Sequence, residues 1–228
     1  MVIKRTALFL TLLIWAALAV NVGFAESGKS TGNLYMRTAM SGSSLNISWI
    51  YLGNDGLIVK NPVAGANPID LAKEKAKNAA NTGTYTIQGD KLHIKWSNGK
   101  TAQWRVEKAG NKLKGMDGGI VTQPAAMPAG YKLEGNYASS AVAPNVSNSS
   151  TFTFKKDGTF QLKSSGTVTT SEVASMASSQ NSGTYTISGN TLTLKMADGK
   201  VEKSLINILD FAGDKYLIIN QKRYPLAK

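Results

Sequence analysis

One histidine, His93, and no cysteine leave this 228-residue chain with little equipment for covalent or metal chemistry. Without a thiol there is no thiolate nucleophile, no cysteine-ligated zinc or iron–sulfur cluster, no disulfide and no cysteine-linked lipid anchor. A lone imidazole cannot build a multi-histidine metal site, and it supplies the base for one Ser-His-Asp triad at most. Its neighbours alternate, with Leu92, Ile94 and Trp96 in one set and Lys91, His93 and Lys95 in the other, so His93 is expected on the solvent face of a strand. Paired carboxylates can in principle run glycoside hydrolysis. Here the acids sit mainly in turns: Asp55, Asp90, Asp117, Asp157 and Asp198 each adjoin a glycine, and turn chemistry accounts for them. Nothing marks a Ser-Lys pair. These residues predict a protein that is not an enzyme, with no metal and no cofactor.

What remains is equipment for binding. Trp49, Tyr51, Trp96 and Trp104 are the candidate ligand contacts. If Ile50 and Leu52 face a core, Trp49 and Tyr51 face outward, either against another part of the protein or as a platform for a ligand such as a glycan. Trp96 and Trp104 read either as a ligand site or as core residues that Met196 and Leu205 replace a hundred positions later. Lys73, Lys75 and Lys77, with Glu74 beside them, are candidates for contact with an anionic surface. The chain carries 26 Lys and Arg against 14 Asp and Glu, a net charge of +12. That charge is spread rather than striped and arginine is scarce, which disfavours nucleic acid and favours anionic envelope polymers or membrane headgroups as partners.

Residues 1–25 read as a signal peptide. Lys4 and Arg5 precede an apolar run from Ala7 to Val20 broken only by Thr11, and small residues lead to Ala25, after which cleavage is expected. The run falls short of the ~20 apolar residues that span a bilayer. Removing Lys4 and Arg5 with the leader lowers the net charge to +10. The expected location is secreted or periplasmic, with no transmembrane segment after cleavage.

An internal repeat organises the rest. Asn81–Lys100 lies over Asn181–Lys200 without a gap, with eleven of twenty residues identical. The Asp55-Gly56 turn answers Asp157-Gly158, Gly32-Asn33 answers Gly135-Asn136, and Lys112–Pro124 answers Lys215–Pro225. This divides the chain into repeat 1 over residues 26–123, a connector over 124–131 containing Pro124 and Pro128, and repeat 2 over 132–228. Alternating apolar residues and two-residue Gly-Asp, Gly-Asn, Asn-Gly and Asp-Gly turns read as strands and hairpins in each copy. A flat meander would leave open edges, and curling removes them. The expected fold is all-β and mainly antiparallel: two tandem small meander β-barrels or strongly curled sheets, with one short helix per repeat. The helix of repeat 1 is placed from Asn67, as cap, through Pro68 to Ala80, and a short or frayed one at Thr169–Ser179 in repeat 2.

The string Gly-Thr-Tyr-Thr-Ile-x-Gly-[Asp/Asn]-x-Leu-x-[Ile/Leu], preceded in repeat 2 by Phe152-Thr-Phe-Lys-Lys-Asp-Gly-Thr-Phe160, resembles the strand–turn signature of lipocalin-like (calycin-like) small β-barrel domains of secreted bacterial proteins. Repeat 1 departs from it, with Trp49-Ile-Tyr-Leu-Gly-Asn-Asp-Gly56 in place of the Phe-rich hairpin. The resemblance implies a barrel or cup fold and, in some members, binding of small apolar ligands; no catalytic residue carries over. The expected function is a non-enzymatic binding or envelope-associated module for a small apolar ligand or an anionic envelope polymer. The rivals are a proteinaceous inhibitor of a secreted enzyme and a carboxylate-dependent hydrolase.

Overall fold

The computed structural model describes residues 29–227 apart from 43, 67, 144–145, 170–173 and 212. The expected leader, its cleavage point and the expected cap Asn67 lie outside the described residues. The described residues are almost wholly antiparallel β-structure in two units, an eight-stranded closed barrel with a two-stranded ribbon beside it and an eight-stranded sheet.

In the first unit β1 (Lys29–Ser30) precedes β2 (Gly32–Ser41), β3 (Ser44–Gly53) and β4 (Leu57–Lys60). A short β5 (Ile69–Asp70) pairs with β1 and leads into helix α1 (Leu71–Asn78), which a single 3-10 turn extends to Asn81. Then follow β6 (Thr82–Gln88), β7 (Lys91–Trp96), β8 (Thr101–Ala109), β9 (Lys112–Met116) and β10 (Gly119–Thr122). Strand β10 returns to β2, with Val121 opposite Arg37, and closes the barrel. Closure leaves the barrel's own eight strands without a free end strand, while the β1–β5 ribbon stays a separate two-stranded sheet.

The second unit repeats the meander with β11 (Gly135–Ala143), β12 (Val146–Phe154), β13 (Thr159–Thr169), β14 (Ala174–Ser188), β15 (Thr191–Met196), β16 (Val201–Phe211), β17 (Asp214–Ile219) and β18 (Lys222–Pro225). Its ends meet through a bridge between Tyr137 and Leu226 and a bond from the Ala227 amide to the Asn136 carbonyl, 2.7 Å.

Two details of the helices differ from expectation. The cap of α1 is Asp70, whose carboxylate accepts from the Lys73 amide at 3.0 Å, so the helix begins three residues later than a cap at Asn67 would place it. In repeat 2 no helix stands among the described residues of Thr169–Ser179. Strands β13 and β14 run on as a long hairpin, paired from Thr159 opposite Thr184 to Thr169 opposite Ala174. Serines and threonines without an apolar helical face gain nothing from coiling, and a neighbouring strand supplies their backbone partners.

The shared Gly-Thr-Tyr has a steric cause. A Cβ on Gly83 would lie 2.4 Å from the Lys95 carbonyl oxygen, and one on Gly183 would lie 2.0 Å from that of Lys195. Here β6 crosses β7, and β14 crosses β15, too closely for any side chain. Two residues on, each tyrosine locks the Asp-Gly hairpin: the Tyr85 amide donates to Gly56 and the Tyr185 amide to Gly158, both at 2.8 Å. The phenols reach back too, Tyr85 to the Gly53 carbonyl at 3.0 Å and Tyr185 to the Leu133 and Lys155 carbonyls at 2.9 and 3.0 Å. Burial pushes both phenols above the ordinary tyrosine pKa. Gly183→Ala must push two strands apart, so a loss of about 1–3 kcal/mol is expected in urea denaturation, and an unchanged midpoint would contradict the assignment.

Candidate functional site

Strand alternation sorts the aromatic residues. Ile50, Leu52 and Ile58 point into the first barrel with Leu92, Ile94, Val106, Met116 and Val121. Trp49 and Tyr51 therefore point out of it.

Neither of these two is offered to a ligand. Trp49 is fully buried in a cluster that joins Met36, Ile47 and Ala66 of the first unit to Leu205 and Ile218 of the second. Its indole N–H donates to the carbonyl of Asn220 across this junction. The Ala66 amide donates to Thr191 Oγ1 at 3.1 Å beside it. Tyr51 is covered within its own unit, against Leu57, Val59 and Ile69, and its hydroxyl donates to the Ser30 carbonyl at 2.8 Å. Of the two readings open for Trp49 and Tyr51, packing accords with this burial rather than a ligand platform: the outward face of β3 sets one residue between the units and one beneath the β1–β5 ribbon.

Trp96 and Trp104 are placed differently. Both point into the first barrel, and their ring centroids lie 5.9 Å apart with planes tilted by 59°. They remain half-buried, as do Tyr35, Tyr85, Ala102 and Leu113 around the same interior. Lys60, cross-strand partner of Ile50, holds its ammonium 6.0 Å from the Trp104 ring centroid. Trp104 stands opposite Leu92, whereas in the second unit Ser204 stands opposite Leu192. The counterpart of Trp104 is therefore Ser204 rather than Leu205, which faces outward into the junction.

The second interior is full. Phe152 stacks on Phe154 at 5.3 Å, Phe154 meets Tyr185 edge-on at 4.9 Å, and Tyr224 meets Phe152 at 5.4 Å. Leu192, Leu194, Met196, Ile206 and Leu217 complete a cluster of buried residues.

Two surface hollows adjoin the Trp96 end of the first barrel. One, of about 340 Å³, lies between α1 and the barrel wall and is lined by Leu57, Leu71, Lys75, Lys95 and Trp96 among others. The second, of about 480 Å³, runs over the outer face of β6, β7 and β8 and includes His93, which is half-buried between Thr86 and Gln103. Lys95 and Thr84 line both. The three helix lysines do not form one stripe: Lys73 and Lys77 share a helical face, Lys75 lies on another and reaches the smaller hollow. Lys73 pairs with Asp70 at 3.2 Å.

Glu74, which sequence reasoning passed over as a neighbour of lysines, is wholly buried. Its carboxylate accepts from the Val63 and Ala64 amides, both at 2.7 Å, and from Asn78 Nδ2 at 3.2 Å. It thereby holds the 61–66 loop whose end meets Thr191. Its i±3 and i±4 neighbours, Asp70, Leu71, Lys77 and Asn78, include one apolar residue and carry no signal of burial. Among the described residues no group of three or more His, Asp or Glu is placed to hold a metal ion, and no helix is long and apolar enough to cross a membrane.

Because Trp49 fills the junction, Trp49→Ala should cost about 3–5 kcal/mol in chemical denaturation, while Thr151→Ala at the corresponding position of the second unit should cost less than about 0.5 kcal/mol. Equal, small losses would contradict the packing role.

Residues 127–212 match the model of a family described as a lipocalin-like domain. No curated protein matches the chain. No solved structure matches it either. The matched segment runs from the connector through β16, and with the two barrel-shaped sheets it supports a lipocalin-like fold.

Proposed function

We propose that the protein is a secreted or periplasmic, non-enzymatic binding module that holds a small apolar ligand in its first barrel, with its basic exterior turned toward anionic envelope polymers. Lipocalin-like domains are a binding fold for small hydrophobic ligands, and the match over residues 127–212 supports this class of activity. The observation that carries the reading is the contrast between the two interiors. The second is filled at its centre by Phe and Tyr side chains, each at most 5% exposed, with only aliphatic Met127, Leu162, Ile208 and Leu226 partly buried at its margin. The first keeps Tyr35, Tyr85, Trp96 and Trp104 half-buried around Lys60, next to the hollow beneath α1. Aromatic surface left accessible inside a barrel offers contact area to an apolar guest at low cost in conformational freedom. Burial raises the Tyr35 phenol pKa, as expected for an interior of low polarity. The leader over residues 1–25 supports export, and the surplus of basic residues supports retention near anionic polymers.

The reading is tested with the fluorophore N-phenyl-1-naphthylamine, titrated into the full chain. Trp104→Ala should weaken its binding roughly fivefold or more, about 1 kcal/mol, while Phe160→Leu in the second unit leaves it unchanged. Equal responses from both variants, or no response from Trp104→Ala, would overturn it.

A further inference from the structure

The outer face of β6, β7 and β8 is a lattice of nine polar side chains. Cross-strand pairing sets Thr84, Lys95 and Thr101 in one row, Thr86, His93 and Gln103 in the next, and Gln88, Lys91 and Arg105 in the third. Rows are about 6.7 Å apart along the strands and columns about 4.8 Å across them. Three permanent cations and one imidazole stand among hydroxyls and amides, and none of the nine positions is acidic. The nearest carboxylates are at the rim: Asp90, 3.6 Å from Arg105, and Glu107, the next outward residue of β8. The first two rows line the open hollow of about 480 Å³, the row of Gln88, Lys91 and Arg105 lies beyond it, and through Lys95 and Thr84 the hollow continues into the cleft that Lys75 lines.

The second unit shows what this face does elsewhere in the same molecule. Its nine equivalent positions are Thr184, Lys195 and Val201; Thr186, Thr193 and Lys203; Ser188, Thr191 and Leu205. There Leu205 is buried against the first unit and Thr191 accepts the Ala66 amide, so this corner of the face is taken up by the junction, while Thr184, Thr186, Ser188, Lys195, Val201 and Lys203 stay exposed. In the first unit the equivalent corner carries Lys91 and Arg105 and is exposed.

We propose that the β6–β8 face of the first barrel binds a linear anionic polysaccharide. Ammonium groups meet its charged substituents, and the interleaved Thr and Gln side chains meet its hydroxyls. The absence of apolar side chains from the nine positions leaves nothing to insert into a bilayer. Tyr85, Trp96 and Trp104 of these strands point into the barrel, which leaves the His93 imidazole as the one ring among the nine positions, too little for stacking successive nucleic-acid bases. The face lies on the opposite side of the wall from Trp96 and Trp104, so the inference is independent of the apolar-ligand reading, and it rests on the reading of the basic exterior as turned toward anionic polymers, which it narrows to one face and one polymer class.

Heparin is a suitable probe, measured against the full chain at physiological salt with thermal unfolding as the check on folding. The triple variant Lys91→Gln/Lys95→Gln/Arg105→Gln should weaken heparin binding about tenfold, the sum expected of three exposed charge contacts. The charge-matched control Lys163→Gln/Lys215→Gln/Lys222→Gln, on the second unit, should change it by less than about twofold. Equal losses from the two triples would overturn the proposal in favour of diffuse charge. Thr86→Val/Gln103→Leu alters no charge and should still weaken heparin; wild-type affinity in that variant would overturn the saccharide assignment. Tighter binding to phosphatidylglycerol vesicles or to single-stranded DNA than to heparin would overturn it as well.

Discussion

A strand that turns Ile50 and Leu52 into a barrel has no choice but to turn Trp49 out of it, and an outward indole must be covered or left in water. The second unit covers it. Leu205 and Ile218 close over the ring, the Asn220 carbonyl accepts its N–H, and the 61–66 loop, held by buried Glu74, seals the side against Thr191. This single junction determines which outer faces of the two barrels are spent on each other. It leaves the β6–β8 wall and the cleft under α1 uncovered on the first unit.

The two interiors are built to different ends from the same plan. The Gly-Thr-Tyr contact and the Asp-Gly hairpin recur in both because two strands cross without room for a Cβ and the tyrosine amide then meets the turn carbonyl. Inside this shared frame the second unit replaces Ile50 and Leu52 with Phe152 and Phe154, whose rings meet Tyr224 and Tyr185 edge-on. Close packing of that kind leaves no room for a guest. The first unit instead places Trp96 where the second has Met196 and Trp104 where it has Ser204, and the two indoles stay partly accessible beside Lys60.

Much of this was legible in the residues. The period of two in β7 placed Leu92 and Ile94 inward and Lys91 and Lys95 outward, and the meander and barrel-shaped sheets followed from the strand and turn pattern. The sorting of Ile50 against Trp49 was also readable, but not what lies over Trp49, because the covering residues are more than 150 positions away and pack only after both units form. The helix cap was misjudged since Asn67-Pro68 and Asp70 are both good openings, and the 61–66 loop decides between them through Glu74. The helix expected at Thr169–Ser179 failed for a tertiary reason: β13 is there to pair with it. Equating Trp104 with Leu205 was a slip of one position, which in a strand exchanges the inside for the outside.

The central claim is that one barrel binds and the other supports it. Titration of the full chain with N-phenyl-1-naphthylamine at protein concentrations well above its dissociation constant reads the number of sites directly. One site per chain is the predicted result. Two equivalent sites, one in each barrel, or none would contradict the account.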